Sequence, residues 1–135
     1  DVTGTGTSGW PELSGSAAIV RVGYAGASDN MDMRSNAFDA DAAPAKARLH
    51  LHARGADIGS ISINTDLKAH VSRDGGTSWS LATLAKVGEL ADGTHVYEDA
   101  SVDISGQPSG TAMKYRIETA NSKELEITGI LEQWA

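Results

Sequence analysis

The sequence predicts an all-β fold, an antiparallel β-sandwich of jelly-roll type with about eight strands. Apolar residues alternate with polar ones in run after run, as Leu49, Leu51 and Ala53 do within residues 48–53. Short turn signals such as Asp74-Gly75-Gly76 separate these runs at fairly even spacing. Helical periodicity is nowhere sustained for the roughly ten residues that a helix requires. Two packed sheets, each with one face in the core, explain this pattern.

The chain divides into an arm and one domain. Residues 1–15 are rich in Gly, Thr and Ser and lack periodicity, which predicts a linker or docking arm anchored by Trp10. Residues 16–135 form the predicted sandwich, with alternating runs at 18–24, 48–53, 60–64, 115–119 and 124–131.

Two stretches need further interpretation. In the last run, Leu125, Ile127 and Leu131 are expected on one face, opposite Ile130. Residues 79–90 also fit a short helix, but the Gly-Gly turn before them and the Asp-Gly turn after them favour strands.

The composition narrows the range of functions. Among 135 residues, 11 Lys and Arg oppose 18 Asp and Glu, for a formal charge of −7. An acidic chain without a basic cluster is a poor nucleic-acid ligand, so we expect no nucleic-acid partner. The absence of Cys excludes disulfides, thiolate catalysis and Cys-bound metals. No apolar run approaches the roughly 20 residues of a membrane span, so we expect no membrane insertion. We also expect no cofactor.

One local motif is specific. Residues 72–79, Ser-Arg-Asp-Gly-Gly-Thr-Ser-Trp, resemble the Asp-box turn of sialidase-like and other repeat β proteins. In such a hairpin turn the Asp accepts backbone N–H bonds, glycine allows positive φ and the Trp packs beneath the turn. Ser72, Asp74, Gly76 and Trp79 are therefore predicted to form a structural turn. A sialidase needs a much longer propeller, so that activity is rejected.

The sequence gives little support for a metal site or a catalytic site. His50 and His52 share one face of a strand, as metal ligands in cupins do, but no Glu follows in reach, so a solvent-facing pair is preferred. A small metal-dependent enzyme that uses this pair stays an alternative. The prediction is no metal, with a cation on Asp29, Asn30 and Asp32 as a second alternative. No nucleophile elbow or other catalytic set emerges, so the chain is predicted not to be an enzyme.

The aromatic residues are few. Trp79, Trp134, Tyr115 and Tyr24 are expected to fill the core. Trp10 and Tyr97 are the candidates for ligand contact, because an exposed ring can stack on a sugar.

The C-terminal two-thirds resembles a known domain. The stretches NTDLKAHVSRDGGTSWSLATL from Asn64 and VDISGQPSGTAMKYRIETANSKELEITGILEQWA from Val102 are similar to a recurring domain of virion proteins in bacteriophages and phage-like particles. The likeness covers about residues 28–135, and SGQPSGTAMKYRIET is its most specific part. Three residues depart from the pattern of that domain, namely His50, His52 and Glu126. A different surface specificity is therefore expected. The resemblance implies a β-sandwich appendage module without assigned catalytic residues.

These observations lead to two functional hypotheses. The first is a non-enzymatic module of a tail fibre, tail tip or head spike that assembles with other virion proteins and with itself, and contacts the host surface. Its location is then the virion or phage-like particle, extracellular after release. The alternative is a jelly-roll carbohydrate-binding module that recognises a cell-surface or capsular polysaccharide.

Overall fold

Strands form where the sequence alternates. The computed structural model describes residues 30–135 with their side chains and, before them, the backbone of three strands. The strands are β1 (Val2–Gly4), β2 (Gly15–Val20), β3 (Gly23–Ala25), β4 (Asp32–Arg34), β5 (Phe38–Asp39), β6 (Lys46–Arg54), β7 (Leu67–Ser72), β8 (Ser80–Leu81), β9 (Ala85–Glu89), β10 (His95–Asp103), β11 (Ala112–Thr119) and β12 (Leu125–Trp134). A single 3₁₀ turn covers Ile58–Ser60.

The strands form two antiparallel sheets. Sheet A has seven strands in the order β1-β2-β12-β6-β10-β9, with β3 also paired to β12. Sheet B has five, in the order β4-β11-β7-β8, with β5 also paired to β11. Five strands have only two or three residues, namely β1, β3, β4, β5 and β8, and the other seven have five to ten. Several neighbouring strands are distant in sequence, such as β12 and β6 in sheet A and β4 and β11 in sheet B. The predicted fold class is confirmed.

The core lies between the two sheets. Leu49 and Leu51 of sheet A and Tyr115 and Ile117 of sheet B are fully buried, as the alternation predicts. Trp134 is also buried, so the expectation for Tyr115 and Trp134 is correct. Residues 79–90 contain the strands β8 and β9, which confirms the strand interpretation.

A β-bulge in β12 reverses the expected faces of its second half. Leu125 and Ile127 face the core as predicted, but the register with β6 shifts between Ile127 and Gly129. After the shift, Ile130, Glu132 and Trp134 are buried. The expectation that Leu131 faces the core and Ile130 faces away is therefore wrong. A bulge adds one residue to a strand, and strict counting by two does not detect it.

Strand β9 is the outermost strand of sheet A in the described part of the chain. All five of its residues are exposed. Its pairing with β10 skips Val87, because Gly88 lies opposite Val96 and Lys86 lies opposite Tyr97. A bulge and a lysine at a sheet edge both disfavour pairing with another strand.

The predicted boundary between arm and sandwich falls at the start of β2. Within the predicted arm, Val2–Gly4 pairs with β2 and extends sheet A. Trp10 and the side chain of Tyr24 lie outside the described residues. Among the described residues, no helix has the length and apolarity needed to cross a membrane.

Candidate functional site

The outer face of sheet B carries a concentration of charged side chains. Alternation along β7 and β11 turns Ala69, Tyr115 and Ile117 into the core and the residues between them outward. Strand β4 adds two exposed residues beside β11. We call this surface, together with the adjoining ring of Trp79, the charged face; its members are Asp32, Arg34, Lys68, His70, Trp79, Lys114, Arg116 and Glu118.

Asp32 is held by two arginines. Arg116 donates from Nε to Oδ1 at 3.0 Å and from Nη2 to Oδ2 at 2.9 Å, a bidentate pair between β11 and β4. Arg34 donates to the same two oxygens at 3.4 and 3.2 Å. The hydrogen bonds from Arg116, and then those from Arg34, lower the pKa of Asp32 to about 2. Asp32 therefore stays ionised and fixes both guanidinium groups.

Glu118 continues this network toward an aromatic ring. Its Oε1 pairs with Arg116, and its Oε2 lies 3.2 Å from Nε2 of His70. The His70 ring lies edge-on to Trp79, with ring centroids 6.5 Å apart and an interplanar angle of 74°. A continuous chain of contacts thus runs across sheet B from Arg34 to Trp79. Because each group is fixed by the next, this surface is preorganised.

A shallow depression opens into one end of the charged face. It has a volume of about 240 Å³, and its lining includes Asp32, Lys68 and Glu118 together with Met31 and Thr119. Groups of both signs and a short apolar floor therefore meet in one open site.

The charge of this face differs from that of the whole chain. Four basic side chains, from Arg34, Lys68, Lys114 and Arg116, face two carboxylates. Asp39 of β5 is a third carboxylate, exposed opposite Ala112 on the same outer face. The formal surplus is therefore one positive charge, whereas the chain carries −7. An anionic ligand would be drawn to this face and repelled by most of the remaining surface.

The turn at residues 72–79 closes with the bonds that its motif predicts. Ser72 donates to Oδ1 of Asp74 at 2.7 Å, and the same oxygen accepts the backbone N–H of Ser78 at 2.8 Å. Burial alone would raise the pKa of Asp74, but these hydrogen bonds outweigh it and the net shift is downward. Gly76 has a φ of +91°, and a Cβ there would lie 3.2 Å from the Trp79 ring. The ring thus packs beneath the turn.

Trp79 does not fill the core. It is only partly buried, and it follows the turn on the outer side of sheet B, next to His70. The expectation of a core position is corrected here: Ser80 is the residue that points inward, because its hydroxyl accepts a hydrogen bond from the buried Gln107 at 2.8 Å. Alternation along the strand then places Trp79 and Leu81 outside.

His50 and His52 lie on the outer face of sheet A, as their spacing predicts. Their Nε2 atoms are 3.2 Å apart, and Nδ1 of His50 is 3.7 Å from Oε1 of Glu98 on β10. Burial lowers the pKa of His50, and His52 lowers it further. Among residues 30–135, no group of three or more His, Asp or Glu side chains is arranged to hold a metal ion.

The other candidate contact residues do not come together. Tyr97 is 3% exposed, and its hydroxyl lies 3.0 Å from Nδ1 of His95, so its ring cannot stack on a sugar at the surface. It lies on the core face of β10, opposite Leu51, which corrects the expectation of a ligand contact. Trp10, the other candidate, lies outside the described residues.

The alternative cation site is also not assembled. Oδ1 of Asn30 accepts the backbone N–H of Ser122, and both oxygens of Asp32 are occupied by arginines. Asp29 lies outside the described residues. A carboxylate already neutralised by two guanidinium groups is a poor cation ligand.

Two buried polar sites were not anticipated from the sequence. Arg73, which is 8% exposed, donates to four backbone carbonyls, and its own backbone N–H donates to Oε1 of Gln107 at 2.8 Å. Glu132 is fully buried in the core, and among the described residues neither of its carboxyl oxygens has a hydrogen-bond partner. Burial raises the pKa of Glu132 to about 8. A Glu between Ile130 and Trp134 signals such a site only once the bulge is known.

Comparisons with known proteins add nothing to the functional interpretation of this geometry. No family model, no curated protein and no solved structure matches the chain.

Proposed function

We propose that this chain is a non-enzymatic structural module of a bacteriophage or phage-like particle that presents its charged face to the host surface. As part of a tail fibre, tail tip or head spike, it assembles with other virion proteins and with further copies of itself. The sequence resemblance over residues 28–135 supports the particle location. The jelly-roll sandwich supports a role in display, because its two outer faces can carry contact residues without disturbing the core.

The charge of the charged face is the observation that carries the adhesive role. A surplus of positive charge on one face of an acidic chain is complementary to polysaccharides that bear carboxylate or phosphate groups. Each contact can be weak, since many copies on one particle raise the effective affinity about 10²–10⁴-fold.

Adsorption of the purified chain to host cells tests this role. Lys68→Glu and Lys114→Glu reverse charges on the charged face at residues outside the ion-pair network, and we expect the double variant to lose most of the adsorption. Lys46→Glu combined with Lys86→Glu is the matched control, because it also reverses two exposed lysines, on strands of sheet A. Equal adsorption by all three proteins would refute the adhesive role.

Mass spectrometry of purified particles tests the location. Peptides of this chain should copurify with intact particles at a fixed ratio to the other structural proteins. Their absence would refute the virion assignment and leave the adhesive role standing.

The second candidate is a carbohydrate-binding module, and the position of Trp79 favours it. A partly exposed ring bordered by His70 and Lys114 offers both stacking and hydrogen bonding to a sugar. On an array of acidic and neutral glycans, Trp79→Ala should abolish binding to any saccharide that the chain retains. Leu90→Ala, which removes an exposed apolar side chain just beyond β9, should not change binding. Retained binding by Trp79→Ala would exclude the stacking site.

A further inference from the structure

The two histidines of β6 direct the same ring nitrogen at each other. His50 and His52 are two residues apart on one strand, so both extend from the outer face of sheet A, and their Nε2 atoms are 3.2 Å apart. The rings are tilted by 57°, with centroids 5.2 Å apart, so they converge at their Nε2 edges rather than stack.

This separation matches two imidazole ligands on one ion. Zn–N bonds of about 2.0–2.1 Å at a tetrahedral angle place two ligand nitrogens about 3.3 Å apart. We propose that His50 and His52 together bind a borderline transition-metal ion of the Zn²⁺ class, with water in its remaining positions. The site lies on the sheet opposite the charged face, so the proposal does not rest on the function proposed above.

Glu98 is the positioning residue of this site. It lies opposite His50 on β10, with Oε1 3.7 Å from Nδ1, the nitrogen that faces away from His52. Metal-binding histidines usually direct their second ring nitrogen to a carboxylate or carbonyl, which fixes the tautomer with the lone pair on the ligating nitrogen. At 3.7 Å the contact is an ion pair rather than a hydrogen bond, and the same oxygen lies 3.9 Å from Nε of Arg48. We expect Glu98 to accept the Nδ1 proton of His50 when Nε2 binds the ion.

The residue beside His52 on β12 is a glycine, which lies next to Cβ, Cγ and Nδ1 rather than next to the ligating Nε2. Gly129 lies opposite His52 in the register, and a Cβ there would be 3.9 Å from the imidazole ring. Gly129 itself therefore places no side chain over this part of the ring. An ion with two protein ligands stays open to exchange, and imidazole selects Zn²⁺, Cu²⁺ or Ni²⁺ over Ca²⁺ and Mg²⁺.

Calorimetric titration of the untagged full chain with ZnCl₂ tests the proposal. We expect a single saturable site in the parent protein and none in His50→Ala or His52→Ala. His70→Ala is the matched control, because it removes a histidine from the outer face of the other sheet and should bind Zn²⁺ as the parent does. Glu98→Gln should weaken binding about 10–100-fold without abolishing it. CaCl₂ should give no saturable heat.

Two further measurements keep the result decisive if an alanine variant folds poorly. His52→Gln retains side-chain volume and should also lose binding, and Zn²⁺ should raise Tm for the parent but not for His52→Gln. With Cu²⁺ as the probe, the electron paramagnetic resonance spectrum should show coupling to two nitrogens. Absence of binding by the parent, or parent-like affinity in both histidine variants, would overturn the proposal and leave the 3.2 Å contact as a hydrogen bond between the two rings.

Discussion

Arg73 and Glu132 are both polar and buried, yet their surroundings are opposite. Nη1 of Arg73 donates to the carbonyl of Pro44 at 2.6 Å, and its other donors reach the carbonyls of Ser105, Gln107 and Pro108. Glu132 is fully buried opposite Leu49 of β6, and neither of its oxygens has a hydrogen-bond partner in the part of the chain that the structure describes. One group is satisfied by four acceptors and the other by none.

The difference follows from the chemistry of the two side chains. A guanidinium group keeps its charge at every accessible pH, so it can be buried only where acceptors surround it. A carboxyl group can instead bind a proton and be buried without charge. Because burial disfavours the charged form, the pKa of Glu132 rises to about 8. Burial of Arg73 therefore requires a fixed arrangement of acceptors. Burial of Glu132 instead makes the stability of the fold depend on pH.

The largest effect is expected from breaking the Arg73 site. Arg73→Met removes the donor of four carbonyls and should lower the free energy of unfolding by about 3–5 kcal/mol. The loops around Pro44 and residues 105–108 would lose their common attachment. Urea denaturation measures the change. Arg54→Ala, at a half-exposed arginine on sheet A, is the control and should cost less than about 1 kcal/mol.

A graded variant covers the case in which Arg73→Met does not fold. Gln107→Ala removes the acceptor for the Arg73 backbone N–H and the donor to Val71 and Ser80, and should cost about 2 kcal/mol. If the free energies of unfolding of both variants stay within about 0.5 kcal/mol of the parent value, the Arg73 site does not stabilise these loops.

The second effect is a dependence of stability on pH. Since folding raises the pKa of Glu132 from 4.5 to about 8, the folded state holds a proton that the unfolded state has released between these values. The contribution of Glu132 to stability is therefore complete below about pH 4.5 and falls as the pH rises to about 8. Glu132→Gln should flatten this slope and be more stable than the parent near pH 8, by a few kcal/mol.

Thermal melting across this range measures the slope. The exposed Glu89→Gln should keep the slope of the parent. Asp32 acts in the opposite direction, because its pKa is lowered to about 2, so its contribution is lost only as the pH falls toward that value. From these two groups, maximum stability is thus expected near pH 4, between the ordinary pKa of Asp32 and that of Glu132. An unchanged slope in Glu132→Gln would show that another group carries the dependence.

A smaller effect is expected at the partly buried turn of residues 72–79. Asp74→Ala removes the acceptor for the Ser72 hydroxyl and the Ser78 backbone N–H, and should cost about 1–2 kcal/mol in urea denaturation. Thr77→Ala changes an exposed side chain of the same turn and serves as the control. Equal stability of both variants would contradict a structural role for the carboxylate.

The smallest effect belongs to the charged face. Asp32→Asn weakens the pairs with Arg34 and Arg116, but these pairs are partly solvated, so the cost should stay below about 1 kcal/mol. Concentrated NaCl should reduce the difference from the parent further. A larger, salt-independent loss would mean that this network holds the sheet together, as Arg73 holds its loops.

Much of the fold could be predicted because alternation reports directly which face of a strand is buried. Leu49, Leu51 and Ala53 occupy the core as their spacing indicates. The second half of β12 could not be predicted, since the bulge before Gly129 adds a residue that no local pattern announces. That single residue moves Ile130 from the expected outer face into the core, and Glu132, two positions on, is buried with it.

The candidate site was predictable only where its contacts are local. The motif spacing predicts the bonds between Ser72, Asp74 and Ser78, which lie within six residues of one another. Arg116 and Asp32 are 84 positions apart, and Arg73 and Gln107 are 34 apart. Such pairs depend on which strands and loops become neighbours, and a single sequence does not encode that in any local signal.

The skipped residue in strand β9 matters when many molecules are crowded together. A straight, regular edge strand could form backbone hydrogen bonds with the edge strand of another molecule. At high concentration, repeated pairing of this kind leads to cross-β aggregation. The irregular step at Val87 interrupts that template, and the charge of Lys86 resists a second strand. This border of sheet A is therefore a poor template for a strand from another molecule.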